Sequence, residues 1–320
     1  MRRLLRDPAE IPLSVESMKM WHGIEELVET DCGFKVSGQV AVAADAAEWE
    51  ELQARAAKIA ALGWIHEELI GPDELYAVLP ALVPGCLGGL IAREDGFASP
   101  YHTTMAFRAA AIRAGARVVE DVRAVGFWRE GGRWQAATSA GPVEARVLVN
   151  TGGAWGGAVA EALGEPVPLE ATAPMMMVTA PVPPFCEPVV IGVGRALSFK
   201  QAQNGTVLIG GGHLGVPDTV AETSSVDFRK LVTSARTVAE LFPVMRGAPI
   251  VRTWSGIESR LPDGIPVIGP STTEVNAFHA FGFSHHGFQL GPVIGRILSE
   301  LVLDGGTNLP LHPFRIDRFR

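Results

Sequence analysis

The sequence predicts an α/β fold combined with a second domain built on an antiparallel sheet. Three observations support this prediction. The apolar run "ARVLVN" (145–150) leads into glycines and a helical segment at 154–163, as in a βα unit. Short β-type runs dominate residues 171–212. The chain closes on a helix at 287–303 whose apolar residues recur at helical spacing.

The remaining elements follow from periodicity and from the residues that stop helices. A glycine just past an amphipathic run favours the left-handed conformation that ends a helix. In chain order, the pattern predicts a helix within 10–30, a strand within 33–45, a helix at 46–62 closed by Gly63, a short helix in 71–80, a helix at 102–114 closed by Gly115, three or four strands at hairpin spacing, and a helix at 225–242.

The composition excludes several classes of partner. A formal net charge of −8 argues against binding to nucleic acid or to an acidic membrane, since both require a basic face. Cys32, Cys86 and Cys186 lie far apart without a CxxC pair, which predicts neither a disulfide framework nor a metal site. No apolar stretch approaches about 18 residues, so we expect no membrane span. These features predict a cytoplasmic protein that acts on small molecules or proteins.

Residues 206–216, "TVLIGGGHLGV", match the spacing of a dinucleotide-binding turn. A working fingerprint requires its third glycine to lie in the first turn of a helix, whose N–H groups face the pyrophosphate. The residues after Gly215 are β-branched and serine-rich, and they do not read as a helix. We therefore interpret this match as a strand that ends in a glycine turn.

The start of the last predicted helix is a better candidate for a ligand site. Gly282, Gly287 and Gly291 lie around this start, and glycine lets a ligand approach the backbone closely. The N-terminus of a helix also carries about half a positive charge, which favours an anion. Tight packing is the alternative explanation for these glycines.

Several segments together carry a resemblance to a known family. They are "RDPAEIPLSVESMKMW", "GFKVSGQVAVA", "GARVVEDVRAV", "VLVNTGGAW", "VLIGGG", "RTWSGIESRLPDGIPVIGP" and "HAFGFSHHGFQLGPVIG", and they span essentially the whole chain. In this order they resemble the FAD-dependent amino-acid oxidases and dehydrogenases. That family includes D-amino-acid oxidase, glycine oxidase, sarcosine oxidase and the flavin subunits of opine, hydroxyproline and cyanide-forming glycine dehydrogenases.

The resemblance implies a discontinuous FAD domain of the glutathione-reductase type plus an antiparallel-sheet substrate domain. The family begins with a strand, GxGxxG turn and helix, whereas this sequence matches only from a later point, so we expect an N-terminally truncated FAD domain lacking its first βαβ unit. A miscalled or truncated start is our preferred explanation, and dependence on another chain is the alternative. We expect the FAD domain at 1–35, 96–168 and 256–320, and the substrate domain at 36–95 and 169–255.

The resemblance also implies which residues contact FAD. Val122 would bond the adenine through its backbone, and the turn after residue 150 would follow the nucleotide. The segment before the last helix would face the isoalloxazine and ribityl chain, with backbone N–H groups near the electron-rich edge of the ring. The expected FAD contacts are Val122, Thr151, Gly152, Gly153, Trp155, Gly282, Ser284, His285, His286, Gly287, Phe288 and Gln289.

Few catalytic side chains are expected, because the cofactor supplies the redox chemistry. Lys200 lies on the strand that covers the flavin in this family, and His286 is expected to tune a proton, although a structural role is open for both. His102, His213 and His279 rank lower. The family's carboxylate-binding arginine is replaced by Glu258 in "WSGIES", so Arg252, Trp254 and Tyr101 complete the expected substrate contacts.

The sequence therefore predicts an FAD-dependent enzyme that oxidises the C–N bond of a small amino or imino acid such as hydroxyproline, sarcosine, glycine or an opine. The resemblance to flavin subunits also implies partner subunits of a heteromeric dehydrogenase. The alternatives are a non-catalytic or partner-dependent subunit or fragment, and an FAD-dependent 2-hydroxy-acid dehydrogenase.

Overall fold

The computed structural model describes residues 1–320 and has a mixed α/β fold. The α-helices are α1 (Ile11–His22), α2 (Ile24–Val28), α3 (Ala46–Ala61), α4 (Pro72–Val78), α5 (Pro100–Arg113), α6 (Gly156–Ala162), α7 (Phe228–Leu241) and α8 (Gly287–Leu303). The strands are β1 (Lys35–Val36), β2 (Gln39–Ala43), β3 (Glu68–Ile70), β4 (Gly88–Ala92), β5 (Gly96–Phe97), β6 (Ala124–Glu130), β7 (Arg133–Thr138), β8 (Val143–Ala145), β9 (Leu148–Asn150), β10 (Glu170–Thr172), β11 (Met175–Thr179), β12 (Val189–Gly192), β13 (Ser198–Gln201), β14 (Val207–Gly210), β15 (Val216–Asp218), β16 (Thr223–Ser225), β17 (Ile250–Ser255), β18 (Glu258–Arg260), β19 (Val267–Pro270) and β20 (Ala277–Phe281).

The helices begin where capping residues satisfy their first N–H groups. The carboxylate of Asp45 accepts a hydrogen bond from the backbone N–H of Glu48 at the start of α3. Ser99 caps α5 and Asp227 caps α7 in the same way. The predicted helix at 225–242 consequently begins later, at Phe228, and Ser225 belongs to β16 instead.

The chain folds into two compact units. Unit 1 comprises residues 1–8, 34–98 and 172–257, and unit 2 comprises residues 9–33, 99–171 and 258–320. The prediction placed residues 1–8 with residues 9–35, but these first residues pack in unit 1. The buried carboxylate of Asp95 explains this placement, because it accepts hydrogen bonds from the backbone N–H groups of Arg3 (2.6 Å) and Leu4 (3.1 Å).

Unit 1 is built on an eight-stranded sheet with the strand order β17-β11-β14-β13-β12-β2-β4-β3. Only β12 and β2 are parallel; every other neighbouring pair of strands is antiparallel. One face of β11, β13 and β14 forms a core with α4 and α7, in which Phe199, Ile209, Leu231 and Leu241 are buried. Each such side chain contributes about 1.5–3 kcal/mol of hydrophobic stabilisation. The predicted antiparallel-sheet domain is therefore present.

The proposed false fingerprint also lies in unit 1. Gly210 ends β14, and the residue after Gly215 begins β15 rather than a helix. The backbone N–H of Gly215 donates to the carbonyl of Ala173, which ties the segment to the sheet. The structure thus confirms that no helix follows this glycine pattern.

Unit 2 contains the three-stranded sheet β19-β20-β9 and the three-stranded meander β6-β7-β8. β20 and β9 are parallel, with His279 paired with Asn150. The apolar stripe of α8 supplies the main core, where Leu290, Val293 and Ile297 are fully buried with Leu13 of α1. No helix of the protein combines the length and the apolar character needed to cross a bilayer.

Candidate active site

Two strand-loop-helix arrangements lie side by side in unit 2. β9 leads through the turn at 151–155 into α6, and β20 leads through the loop at 282–286 into α8. Because β9 and β20 are parallel neighbours, both loops leave the same edge of the sheet. This edge is where open α/β sheets bind ligands. The sequence predicted both loops as cofactor contacts, and the structure brings them together.

The first loop is held by the side chain of Asn150. Its Nδ2 donates to the carbonyl of Gly156 (2.8 Å), and its Oδ1 accepts from the backbone N–H of Gly152 (3.1 Å). Gly153 adopts a positive φ of 55°, and a Cβ there would meet no atom within 4 Å. The turn therefore has an ordered backbone with open space beside Gly153.

The second loop has an unusual backbone conformation. Ser284 and His285 are consecutive non-glycine residues with positive φ values of 48° and 72°. Such residues cost about 1–2 kcal/mol each. Gly282 (φ 74°) has no room for a side chain, since a Cβ there would lie 2.6 Å from Leu261 Cδ1. Backbone strain of this kind is concentrated at functional sites.

The loop delivers an uncapped helix end. His286 is the N-cap of α8, but no side chain bonds the first-turn N–H groups and no acidic residue lies in that turn. The N–H groups of Gly287, Phe288 and Gln289 therefore remain available to an anion. The side chain of Gln289 points away, toward α1, where its Nε2 donates to the carbonyl of Ser14 (2.9 Å).

A cavity of about 330 Å³ adjoins this helix end. Gly287 and Gly291 line it on α8, and a Cβ on Gly291 would meet no atom within 4 Å. The other lining residues are Trp21, Thr103, Thr104, Phe107, Phe288 and Pro292. The volume is within the range of small-molecule sites. Glycines without side chains, an apolar wall and an uncapped helix end fit one part of a flavin dinucleotide.

Two histidine–carboxylate pairs stand at the start of α8. His285 Nε2 lies 3.3 Å from an oxygen of Glu258, and His286 Nδ1 lies 2.9 Å from an oxygen of Glu10. Partial desolvation raises the pKa of Glu258, whose side chain is 47% exposed, and the neighbouring His285 opposes this shift. Glu10 is fully buried, and no pattern in the sequence indicates its role. Its partner is 276 positions away in the chain, so no local pattern could have identified it.

The predicted residues of unit 1 share one face of its large sheet. Lys200 on β13 is paired with Leu208, Leu208 with Val178, and Val178 with Arg252 on β17. These four residues form a row across four strands. Trp254 lies on the same face, one row along, because its Cα partner is Met176 and side chains alternate along a strand. This face is opposite to the one that packs on α7.

Lys200 is half-buried rather than projecting into solvent. Its Nζ lies 4.3 Å from the centroid of the Phe97 ring, a cation–π distance. Burial lowers the pKa of Lys200. A partly desolvated ammonium on this sheet face is suited to bind an anion, because its charge is poorly compensated by water.

The remaining predicted contacts lie in unit 2 and are less constrained. Val122 lies outside regular structure, just before β6. Tyr101 is 71% exposed in the first turn of α5, and Trp155 is 39% exposed after the first loop. None of these three is a core residue.

A family comparison identifies the chain. Residues 2–301 match the model of the "FAD dependent oxidoreductase" family. The chain belongs to this family. The fold class, the resemblance and the family's cofactor, FAD, were thus predicted correctly from the sequence.

Individual members of the FAD-dependent oxidoreductase family have low sequence identity to this chain. Dimethylglycine dehydrogenase of Homo sapiens is 26% identical over 317 residues, which is 91% of this chain and 36% of that protein. The sarcosine oxidase beta subunit of Arthrobacter sp is 22% identical over 311 residues, covering 95% of this chain and 76% of that one. The chain therefore spans about a third of the first relative and three quarters of the second.

A solved structure of similar fold is the L-proline dehydrogenase of P. horikoshii. It has a TM-score of 0.91 and 25% identity, and the match covers 100% of this chain and 85% of that chain. The match extends over both units of the present protein.

Proposed function

We propose that this chain contributes the FAD and substrate sites of an oxidoreductase that oxidises the C–N bond of a small amino or imino acid. The observation that carries the proposal is the uncapped end of α8 beside a glycine-lined cavity. The names of its relatives support the substrate class, since dimethylglycine, sarcosine and proline are all small amino or imino acids.

The two loops of unit 2 would hold FAD. The nucleotide would lie along the turn Thr151–Gly153 and Trp155. The backbone of Val122 would bond the adenine. The loop at 282–286 and the first turn of α8 would meet the flavin ring. When bound, FAD supplies the acceptor for a hydride from the substrate carbon that bears the nitrogen.

The chain's own groups would bind charge and orient the substrate. The N–H groups of Gly287, Phe288 and Gln289 would stabilise negative charge that builds up on the cofactor, as fixed dipoles do in oxyanion holes. Lys200 and Arg252 would attract a carboxylate to the sheet face of unit 1. Glu258, which pairs with His285 beside the start of α8, would attract a cationic group near the cofactor loops of unit 2. His286 would hold a proton near the start of α8, with Glu10 accepting its Nδ1–H.

Heteromeric assembly belongs to the same proposal. Several relatives are named as subunits, among them the beta subunit of sarcosine oxidase. We therefore expect activity to depend on partner subunits if this chain purifies without flavin. A cytoplasmic location likewise stays a prediction.

A visible spectrum of the purified protein tests the proposal directly. The two absorption bands of oxidised flavin are expected, either as purified or after incubation with FAD. Anaerobic addition of sarcosine, dimethylglycine, glycine, proline or hydroxyproline should bleach the longer-wavelength band. Bleaching by 2-hydroxy acids alone would instead assign a hydroxy-acid dehydrogenase. Failure to retain FAD at any concentration would refute a cofactor site in this chain.

A further inference from the structure

A buried polar chain lies directly beneath the first cofactor loop. It runs from Asn150 at the end of β9 through His279 on β20 to Glu165 after α6, and all three side chains are almost completely inaccessible. The distances are 3.2 Å from Asn150 Nδ2 to His279 Nδ1 and 2.9 Å from His279 Nε2 to Glu165 Oε2. Buried networks of this kind are costly unless every member is satisfied.

The carboxylate of Glu165 is fixed in its ionised form. Ser271 Oγ donates to Oε2 (2.5 Å), and the backbone N–H and Oγ1 of Thr272 both donate to Oε1 (2.7 Å each). Burial alone would raise the pKa of Glu165, but these hydrogen bonds outweigh it and the pKa is lowered. The end of α6 places this carboxylate, since Gly164 has a positive φ of 78° and the N–H of Glu165 donates back to Ala160.

The neighbours of His279 determine its tautomer. Asn150 presents its NH₂ group to Nδ1, and an amide nitrogen can only donate, so Nδ1 must accept. The ring proton then lies on Nε2, which donates to Glu165. His279 is thus a neutral imidazole, and burial favours this form by lowering its pKa.

The amide of Asn150 is oriented by this histidine. With NH₂ toward His279, the same Nδ2 also donates to Gly156 O, and Oδ1 accepts from the N–H of Gly152. A proton on Nδ1 of His279 would place two donors face to face. Rotating the amide by half a turn would relieve that clash, but it would remove both hydrogen bonds to the turn.

We propose that His279 is a positioning residue whose neutral Nε2–H tautomer locks Asn150, and through it the cofactor turn at 151–155. Protonation of His279 releases this turn and weakens its grip on the nucleotide. The proposal rests on the proposed function for the identity of the ligand, but the coupling between His279 and the turn is a property of unit 2 alone.

Few other charges face His279. The strands on either side, β9 and β19, contain no titratable side chain. α6 contributes only Glu161, which is exposed. Arg320 approaches Glu165 to 3.7 Å and helps to keep that carboxylate ionised. Glu165 is therefore the charge that opposes desolvation of His279, and titration of this histidine is the event expected to release the turn.

The first experiment observes the coupling without cofactor. Nitrogen NMR of uniformly ¹⁵N-labelled protein reports the tautomer of His279, assigned with the His279→Gln variant, together with the amide signals of the turn. We expect Nε2–H at neutral pH, and we expect the Asn150 side-chain amide and the Gly152 N–H to shift together with His279 as pH falls. An Nδ1–H tautomer, or a Gly152 signal that ignores the titration, would overturn the proposal.

The second experiment measures the consequence for binding. Affinity for FAD is titrated by flavin fluorescence from pH 8 downward, and it should fall by up to about tenfold per pH unit once His279 protonates, as expected for linkage to one proton. His279→Gln keeps a donor and an acceptor but does not titrate, so its affinity should lose this acid dependence. His312→Gln, the same change at an exposed histidine of unit 2, should keep it.

The outcomes separate this inference from the proposed function. If FAD does not bind but the NMR shifts occur as expected, the coupling stands and the cofactor assignment fails. If FAD binds with the same pH dependence in wild type and His279→Gln, the cofactor site stands and the coupling is refuted. Asn150→Asp provides a further check should His279→Gln not fold, because it removes the amide donors and should weaken FAD binding at neutral pH.

Discussion

Replacing Gly287 by alanine tests the role assigned to the start of α8. Gly287 is the first residue of this helix and lines the adjoining cavity. A Cβ at this position would lie 3.0 Å from the Cβ of Phe283, which is closer than ordinary van der Waals contact. The methyl group would therefore push Phe283 aside or occupy space that a ligand needs to reach the first-turn N–H groups.

The expected loss follows from the interactions that the methyl group would weaken. A favourable helix dipole contributes about 0.3–1 kcal/mol to an anion, and a hydrogen bond to a charged group about 1.5–3 kcal/mol. Losing one such contact in part corresponds to about 1.4–2.8 kcal/mol, or a 10- to 100-fold weaker affinity for FAD. Because charge is involved, the difference should shrink as salt is added.

Gly295 provides a matched control on the same helix. A Cβ there would meet no atom within 4 Å, and the residue does not line the cavity. Gly295→Ala should stabilise α8 by about 0.5–1 kcal/mol through helix propensity and leave FAD affinity unchanged. Fluorescence titration with FAD and thermal unfolding of both variants decide the matter. Equal affinity of Gly287→Ala and wild type, or equal loss in both variants, would refute the assignment of the helix end.

Three further predictions concern separate groups. The pKa values of His279 and Glu165 are lowered in the folded protein, so the unfolded chain binds more protons in acid, and the stability that these groups contribute is fully present above pH 6.5. This contribution declines below pH 6.5 as His279 protonates, and it declines further below pH 4.5 as Glu165 protonates. A pH series of urea unfolding should show a smaller decline in His279→Gln, and an unchanged profile would contradict the burial of that histidine. Lys200→Met should alter the free energy of unfolding by less than about 2 kcal/mol, since it removes one cation–π contact. The same substitution should lower the rate of flavin reduction by amino acid at least tenfold. An unchanged rate would show that Lys200 is not part of the site. Burial raises the pKa of Cys186 to about 12, so this thiol should resist a disulfide reagent in the folded protein and react only in urea. Rapid labelling of the native protein would disprove its burial.

Local pattern was sufficient to predict most of the elements. The last helix runs from Gly287 to Leu303 as the apolar spacing indicated, and α3 begins at the residue after its Asp45 cap. Both segments carry a regular apolar stripe, and α3 also carries a start signal in Asp45. The strand "ARVLVN" was predicted from its run of apolar residues, although only Leu148–Asn150 pair as a β-strand.

The connections between distant residues were not predictable from pattern. His279 was given a low rank, yet it contacts both Asn150, which lies 129 positions earlier in the sequence, and Glu165, which lies 114 positions earlier. The pairing of His286 with Glu10 is a comparable case. Which carboxylate meets a histidine depends on how sheets and helices stack, and a single sequence does not encode this in any periodicity. For Lys200, the alternation of side chains along β13 indicates which face of the sheet the residue is on, but it does not indicate how deeply that face is buried.

The interleaving of the two units has a consequence for synthesis on the ribosome. Unit 1 is assembled from three segments, the last of which ends at residue 257, whereas unit 2 also needs residues 258–320. The parallel pairing of β2 with β12 joins residues about 150 positions apart, so the large sheet waits for more than half of the chain to emerge. Nascent chains should therefore acquire a protease-resistant sheet domain first, while α1 and α5 stay exposed to chaperones until α8 leaves the exit tunnel.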